Sequence, residues 1–189
     1  ISGTVMTLSY STTVVRALEE CRARDVLKRV FVAECRPLYE GREAASVLAS
    51  RGIPTVLITD AEMGIFIAEA DAAVVGADTI RPDGSLVNRT GTFLLALAAR
   101  HQRIPFYTLT ETHKIAPAAP RAMPFELEEK DPAEVLPDPI PGVTVRNVFF
   151  DLTPARYVTG YITEDGLLNR QDVVALSREA PGVIMRSRL

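Results

Sequence analysis

Residues 74–92 read Val-Val-Gly-Ala-Asp-Thr-Ile-Arg-Pro-Asp-Gly-Ser-Leu-Val-Asn-Arg-Thr-Gly-Thr and connect two apolar segments. The first segment, 72–75, is followed by a glycine, an alanine and Asp78, and then by a polar turn at 81–84. This order predicts a buried strand, a site loop and a helix N-terminus, which is where an open α/β sheet holds its ligands. The alternative is that the loop is only a turn and that Asp78 only caps it or pairs with Arg81.

The composition predicts one globular domain that is neither basic nor membrane-spanning. The chain has 189 residues, 47% of them hydrophobic, which suffices for a large core in a single domain. Its net charge of −3 gives no electrostatic reason to expect nucleic-acid binding, since such domains carry a basic face. No apolar run approaches the roughly 18 residues of a membrane span, and no signal peptide is visible. We therefore predict no direct nucleic-acid partner and no membrane partner.

The cysteines and histidines predict a reduced, cytoplasmic protein without a structural metal. Cys21 and Cys35 form no Cys-x-x-Cys pair, so a reduced intracellular chain is the simplest interpretation. Two His and two Cys scattered along the chain argue against a zinc site. No Gly-x-Gly-x-x-Gly fingerprint or Walker loop occurs, so the sequence favours neither a dinucleotide nor a P-loop, and we expect no cofactor.

Apolar runs alternate with helical patterns along most of the chain. Strands that are apolar throughout are typical of a parallel sheet covered on both faces. The sequence therefore predicts an α/β fold, a Rossmann-like and mostly parallel sheet with helices on both faces, in a single domain 1–189. We predict strands at 4–8, 30–33, 53–59, 72–75, 105–109, 125–128, 143–145 and 157–163, and helices from 14 and at 41–51, 61–70, 92–103 and 169–178.

Polar side chains follow four of the predicted strands, at ends that converge on one edge of a parallel sheet. Hydroxyls at a helix N-terminus suit a phosphate, as the residues from Ser9 to Thr13 would provide, and Arg36, Arg89 and Lys114 could neutralise its charge. Asp78 could transfer a proton or bind sugar hydroxyls. Simpler roles remain open: helix capping for Ser11 and Thr12, ion pairing with Glu34 or Glu40 for Arg36, and a solvated charge for Lys114.

Several short motifs occur in order along nearly the whole chain. They are Glu-Cys-Arg-Pro at 34–37, Gly-Ala-Asp-Thr-Ile at 76–80, Asn-Arg-Thr-Gly-Thr at 88–92, Glu-Thr-His-Lys at 111–114, Phe-Asp-Leu-Thr-Pro at 150–154 and Ile-Thr-Glu-Asp-Gly at 162–166. Together they resemble the motifs of one superfamily, which joins the alpha, beta and delta subunits of eukaryotic translation initiation factor 2B with methylthioribose-1-phosphate isomerase and ribose-1,5-bisphosphate isomerase.

The resemblance implies a Rossmann-like C-terminal domain that forms a homodimer, and we expect the family's N-terminal helical domain to be absent from this chain. The isomerases of the family convert an aldose phosphate into a 2-ketose phosphate with a cysteine after the first strand and the aspartate of Gly-Ala-Asp. By motif match this aspartate is Asp78. The resemblance also implies that Asn88 and Arg89 contact the substrate, and Arg36 and Lys114 are further candidates.

Two positions depart from the family pattern. The isomerases have Thr-His-Cys where this chain has Thr7-Leu8-Ser9, so Ser9 stands at the position of the catalytic cysteine. A serine hydroxyl is far less acidic than a thiol, whose pKa is about 8.5 in model peptides. Arg89 replaces a lysine, which keeps the charge but not the geometry. Cys35, on the next strand end, is a weaker candidate for the role of the missing thiol.

Three functions stay open. The first is an initiation-factor-2B-like protein that binds a sugar phosphate or nucleotide phosphate without isomerase activity, which Ser9 favours. The second is an aldose–ketose phosphate isomerase of the ribose-1,5-bisphosphate or methylthioribose-1-phosphate type, which Asp78 and Asn88 favour. The third is a dimerisation scaffold whose polar groups only pair with each other. We favour the first, and we expect a phosphate to bind near Ser11–Thr13 and Arg89.

Overall fold

The structure is a computed structural model that describes residues 1–118 and 125–179. Two β-sheets and five α-helices make up the described chain. The strands are β1 (Gly3–Leu8), β2 (Leu27–Ala33), β3 (Thr55–Ile58), β4 (Ala72–Val75), β5 (Thr79–Ile80), β6 (Leu86–Arg89), β7 (Phe106–Leu109), β8 (Phe150–Thr153), β9 (Gly160–Thr163) and β10 (Gly166–Leu168). The helices are α1 (Thr12–Ala23), α2 (Glu40–Ser50), α3 (Met63–Phe66), α4 (Thr92–Gln102) and α5 (Arg170–Glu179).

The larger sheet has the strand order β10-β9-β7-β4-β1-β2-β3. All its strand pairs are parallel except β9 with β10, which is antiparallel. The chain builds β1, β2 and β3 outward in one direction and then returns to place β4 on the other side of β1. The strand order therefore reverses between β1 and β4, and this switch point is where open α/β sheets bind ligands.

Helices cover both faces of this sheet, as predicted. On one face, Val14 and Leu18 of α1 and Leu48 of α2 pack against alternate strand residues such as Val30 and Val32. On the other face, Met63 of α3, Leu95 of α4 and Val173 of α5 pack with Met6 and Phe31. Successive strand side chains point to opposite faces, so strands covered on both sides must be apolar at every position. The continuous apolar runs of the sequence arise from this arrangement.

The smaller sheet has the order β5-β6-β8 and is antiparallel. Its central strand β6 carries two predicted site residues, Asn88 and Arg89, which pair with Asp151 and Phe150 of β8. The backbone N–H of Thr90 extends this pairing by donating to the carbonyl of Phe149 at 3.0 Å. A strand more than 50 residues away in sequence therefore holds the segment that leads into α4.

Three of the predicted elements are wrong. The helix predicted at 61–70 is divided into a 3₁₀ turn at Asp60–Glu62, the short helix α3 and a second 3₁₀ turn at Ile67–Glu69. Gly64 lowers the helix propensity of this segment. The segment packs on the sheet through Met63 and Ile67, which are both buried in the core. Residues 125–128 and 143–145 form no strand; next to them, Glu129 and Val148 form an isolated antiparallel bridge.

No helix in residues 1–118 and 125–179 combines the length and the hydrophobicity that crossing a bilayer requires.

Candidate functional site

A cavity of about 330 Å³ opens at the switch point between β1 and β4. Its walls come from the carboxyl ends of these strands, the first turn of α1, the start of α2, the end of β6 and the segment before β8. Parallel strands thus bring distant loops together at one edge, as the sequence predicted. The lining residues are Leu8, Ser9, Tyr10, Ser11, Thr12, Thr13, Glu40, Gly76, Ala77, Asp78, Asn88, Arg89, Lys114, Phe149 and Phe150.

The first turn of α1 lies directly against the end of β4. Ser11 caps the helix, accepting the N–H of Val14 at 3.3 Å on its side-chain oxygen. Gly76 makes this close approach possible, since a Cβ atom there would lie 2.7 Å from Ser11 Oγ. The remaining N–H groups of a first helical turn have no partner within the helix. The close packing therefore holds a helix N-terminus, with its hydrogen-bond donors, at the cavity.

Arg89, Glu40 and Ser9 form a buried network in the cavity wall. Arg89 Nε lies 2.7 Å from Glu40 Oε2, and Ser9 Oγ donates to the same carboxylate oxygen at 2.9 Å. The guanidinium carbon of Arg89 lies 3.5 Å from the ring centroid of Phe149, and Nη1 donates to the carbonyl of this residue at 3.3 Å. Ser9 has a φ of +64°, a left-handed conformation that serine adopts only where its surroundings impose it.

Cys35 lies next to this network but is held as a neutral thiol. Its Sγ is 3.8 Å from Glu40 Oε2, and the residue is 1% exposed. Burial raises the pKa of the thiol to about 11, and the Glu40 carboxylate adds to this effect, while Arg89 and a hydrogen bond with Ser9 oppose it. Because the thiolate is the nucleophilic form of cysteine, Cys35 is poorly suited to the role of the family's catalytic cysteine.

Asp78 and Lys114 line the part of the cavity that follows β4 and β7. Asp78 is accessible to solvent, yet burial of its carboxylate among protein atoms raises its pKa, while Lys114 and Arg89 oppose the shift and Glu40 adds to it. Lys114 Nζ donates to the carbonyl of Ala77 at 2.8 Å and lies 3.8 Å from Glu111 Oε2. The lysine thus ties the loop after β7 to the loop that carries Asp78.

Hydrogen bonds fix the junction between β6 and α4. The buried Asn88 donates from Nδ2 to Thr92 Oγ1 at 3.0 Å, and Thr92 donates to the carbonyl of Arg89 at 2.7 Å. From β8, the Asp151 carboxylate accepts the N–H groups of Gly91 at 2.8 Å and Phe93 at 3.0 Å. Burial raises the pKa of Asp151 to about 6, and the bonds from these N–H groups oppose the shift. Asp151 caps α4 and holds the strand end that presents Arg89.

The cavity contains most of the residues that the sequence predicted, but Arg36 does not line it. Arg36 is exposed, and its guanidinium donates to the Tyr39 hydroxyl at 2.7 Å and to the Val135 carbonyl at 3.0 Å. A role for Arg36 in the site stays a prediction. The predicted residues that line the cavity are Ser9, Ser11, Thr12, Asp78, Asn88, Arg89 and Lys114.

Sequence reasoning missed Glu40 and Phe149 as members of the site. Glu40 was considered only as an ion-pair partner of Arg36, but it binds Arg89 instead. Phe149 had no assigned role, although its ring supports the guanidinium. The sequence signals near them are the Glu-Cys-Arg-Pro motif, which ends three residues before Glu40, and the Phe-Asp-Leu-Thr-Pro motif that follows Phe149. Among the described residues, no group of three or more His, Cys, Asp or Glu side chains is arranged to hold a metal ion.

Comparison with known families gives a match over residues 2–170, to the family described as "Initiation factor 2 subunit family". The chain belongs to this family. Among its curated members, a Pyrococcus horikoshii protein described as translation initiation factor eIF-2B subunit 2-like is 42% identical over 165 residues, which are 87% of this chain and 57% of that protein. A ribose 1,5-bisphosphate isomerase from Methanocaldococcus jannaschii is 43% identical over 145 residues, 76% of this chain and 47% of the isomerase.

Solved structures of initiation factor 2 subunit family relatives share this fold. The 5-methylthioribose 1-phosphate isomerase of Pyrococcus horikoshii OT3 superposes with a TM-score of 0.83 at 28% identity, covering 93% of this chain and 54% of the isomerase. The translation initiation factor eIF-2B of the same organism gives 0.79 at 40% identity, covering 90% of this chain and 60% of that one. The chain thus spans about half the length of the relatives it matches, and these relatives carry both isomerase and initiation-factor names.

Proposed function

We propose that the cavity at the switch point binds the phosphate group of a small phosphorylated sugar or nucleotide. The proposal rests on the position of the α1 N-terminus, because Ser11 and Thr12 of its first turn line the same cavity as Arg89 and Lys114. The free N–H groups and the positive dipole end of a helix favour an anion there. The two cations add charge-assisted hydrogen bonds. Asp78 lines the cavity as well and would accept hydrogen bonds from sugar hydroxyls.

The charge of the cavity suits a single phosphate group better than two. Arg89 and Lys114 carry the positive charges of the lining, and Glu40 and Asp78 carry an equal number of negative charges. Arg89 Nε already binds Glu40 Oε2 at 2.7 Å, so a phosphate that reaches Arg89 competes with this carboxylate. Glu40 would therefore limit both the affinity for phosphate and the number of phosphates that the cavity accepts.

Calorimetric titration of the full-length protein with ribose-1,5-bisphosphate and with nucleoside monophosphates tests the proposed cavity. We expect binding heat with at least one of these compounds. Gly76→Ala should weaken binding at least about tenfold, because the added methyl group displaces Ser11 from its capping position. Glu40→Gln should strengthen it about fivefold by removing a nearby negative charge. Arg24→Ala, at the exposed far end of α1, is the control and should bind as the unmodified protein does. No heat with any of the compounds would contradict the proposal.

We further propose that the protein binds this ligand without isomerising it. Ser9 stands where the resemblance places the isomerase cysteine. The Ser9 hydroxyl donates to Glu40 Oε2, and Arg89 Nε donates to the same oxygen. The neighbouring Cys35 has a pKa of about 11, so it remains a thiol at neutral pH. Neither side chain supplies the thiolate that the family reaction implies.

An isomerase assay of the full-length protein with ribose-1,5-bisphosphate and methylthioribose-1-phosphate should detect no turnover above that of buffer. The full-length protein is the appropriate sample because the chain spans only 57% of its eIF-2B subunit 2-like relative. The decisive comparison is Asp78→Asn, which removes the proposed proton-transfer group and changes little in size. Turnover that this substitution abolishes would overturn the assignment as a binding protein.

The second candidate function is an aldose–ketose phosphate isomerase, and one observation favours it. Burial raises the pKa of Asp78, which lines the cavity and is accessible to solvent. An aldose–ketose conversion moves a proton between two carbons, and a carboxyl group with a raised pKa is better suited to this exchange near neutral pH. The relative from Methanocaldococcus jannaschii named ribose 1,5-bisphosphate isomerase also supports this alternative.

The cytoplasmic location and the homodimer are further parts of the proposal that rest on the sequence and on the resemblance. Light scattering on the full-length protein tests the dimer, and a monomeric mass would contradict it.

A further inference from the structure

A second cavity, of about 600 Å³, lies at the edge of the large sheet where β7 and β9 begin. The last turn of α4 forms one wall, with Arg100, His101 and Arg103, and the segment between β8 and β9 forms the other, with Arg156 and Tyr157. It shares no lining residue with the cavity at the switch point. Along α4, whose 11 residues span about 16 Å, the two cavities lie at opposite ends.

The lining of this second cavity is basic and has no carboxylate. Arg100, Arg103 and Arg156 take part in none of the ion pairs formed by the described part of the chain. Three arginines that line one cavity and make no ion pair are a local concentration of positive charge in a chain where acidic residues outnumber basic ones, 24 to 21. An anion bound between them would lower their mutual repulsion.

The helix dipole accounts for only part of this cluster. Arg100 and His101, in the last turn of α4, are placed to compensate the negative end of the helix. Arg156 belongs to a separate 3₁₀ turn, Ala155–Tyr157, and reaches the cavity from the other wall. Arg103 is the C-terminal cap of α4, with a φ of +60° and its backbone N–H directed at the carbonyls of Ala99 and Arg100. The end of α4 therefore accounts for Arg100, His101 and Arg103, but not for Arg156.

Ring contacts and hydrogen bonds hold the wall of the cavity that carries Arg156. Arg156 lies over the ring of Tyr157 at 4.9 Å, and this ring packs edge-on against Phe93 at 5.4 Å. Thr159, in the same wall, accepts the backbone N–H of Phe106 at 3.0 Å and donates its own N–H to the Phe106 carbonyl at 2.7 Å. Because β7 and this wall are joined by hydrogen bonds, the backbone around the cavity is preformed.

We propose that this second cavity binds a small anion that carries at least two phosphate groups. Guanidinium groups bind phosphate oxygens in pairs, with a planar geometry that an ammonium group lacks. Three arginines from two walls match the charge of a diphosphate better than that of a single phosphate. This proposal does not depend on the ligand proposed for the cavity at the switch point, since the two cavities share no lining residue.

Calorimetric titration of the full-length protein with sodium pyrophosphate tests the site. We expect saturable binding that the double substitution Arg103→Asn and Arg156→Gln weakens at least tenfold. Asparagine tolerates the left-handed backbone at position 103, so the helix end should be kept. The matched control, Arg16→Gln with Arg24→Gln, removes the same charge from the exposed side of α1 and should bind as the unmodified protein does.

Three results would overturn the proposal: no saturable binding of pyrophosphate, equal weakening in both double variants, or loss of binding by Gly76→Ala in the cavity at the switch point. Nuclear magnetic resonance spectra of labelled protein provide a second measurement that requires no substitution. Pyrophosphate should shift the backbone signals of Arg103 and Tyr157 and leave those of Ser11 unchanged. Shifts at Ser11 alone would place the anion in the first cavity and contradict the proposal.

Discussion

Arg89→Met is expected to lower the free energy of unfolding by about 2–4 kcal/mol and to abolish phosphate binding at the switch-point cavity. The substitution keeps an unbranched side chain against Phe149 but leaves the Glu40 carboxylate without its cation. The two side chains are 8% and 28% exposed, so water replaces little of the lost interaction. Removing one partner of a buried pair costs more than the pair itself contributes, because the other charge stays desolvated. Urea denaturation and calorimetry measure the two effects.

A double-mutant cycle with Glu40→Gln separates the ion pair from the other contacts of Arg89. Glu40→Gln alone should cost less than Arg89→Met, since the glutamine retains an acceptor for Ser9. The free energy of unfolding of the double variant should be about 1–3 kcal/mol higher than the sum of the two single effects predicts. Additive effects would show that the two side chains do not stabilise each other, and would contradict this description of the network.

Gly41→Ala is expected to lower the free energy of unfolding by at least about 3 kcal/mol, or to prevent folding. A Cβ atom at Gly41 would lie 1.9 Å from the carbonyl oxygen of Ala33 and 2.9 Å from the carbonyl carbon of Glu34. Both are backbone atoms at the end of β2, so α2 must move away from the sheet. Glu40 precedes Gly41 and would move with it, so its ion pair with Arg89 should be weakened as well. Thermal and urea unfolding measure the effect.

Gly64→Ala in α3 is the matched control for this substitution. A Cβ atom at Gly64 meets nothing within 4 Å, and the helical position favours alanine over glycine. We therefore expect unchanged or slightly higher stability, by up to about 1 kcal/mol. Equal destabilisation by both substitutions would show that the close contact between Gly41 and the end of β2 is not what makes glycine necessary there.

The large sheet was predictable from the sequence because its signals are local. The strand predicted at 72–75 is β4 with the same bounds, and the helix predicted at 92–103 is α4 within one residue. An apolar run bounded by turn residues indicates a strand that is buried on both faces, even when the strands beside it in the sheet are not known. The smaller sheet was not predicted. Its strands are short, and β6 pairs with β8 across about 60 residues of sequence, so only the folded chain shows the pairing.

The sequence by itself determined the α/β order of elements, the family motifs and the placement of Asp78, Asn88 and Arg89 near one sheet edge. The order of elements and the position of Asp78 follow from local pattern, since parallel strands carry their ends to the same side, whereas Asn88 and Arg89 follow from the motif that leads into α4. Only the tertiary structure decided that Glu40, 49 residues from Arg89, is its partner, and that Arg36 turns toward Tyr39 instead of the cavity. The physical reason is that an ion pair depends on the distance and burial of its partners. A carboxylate in a chain with 21 basic residues has many possible partners until packing selects one.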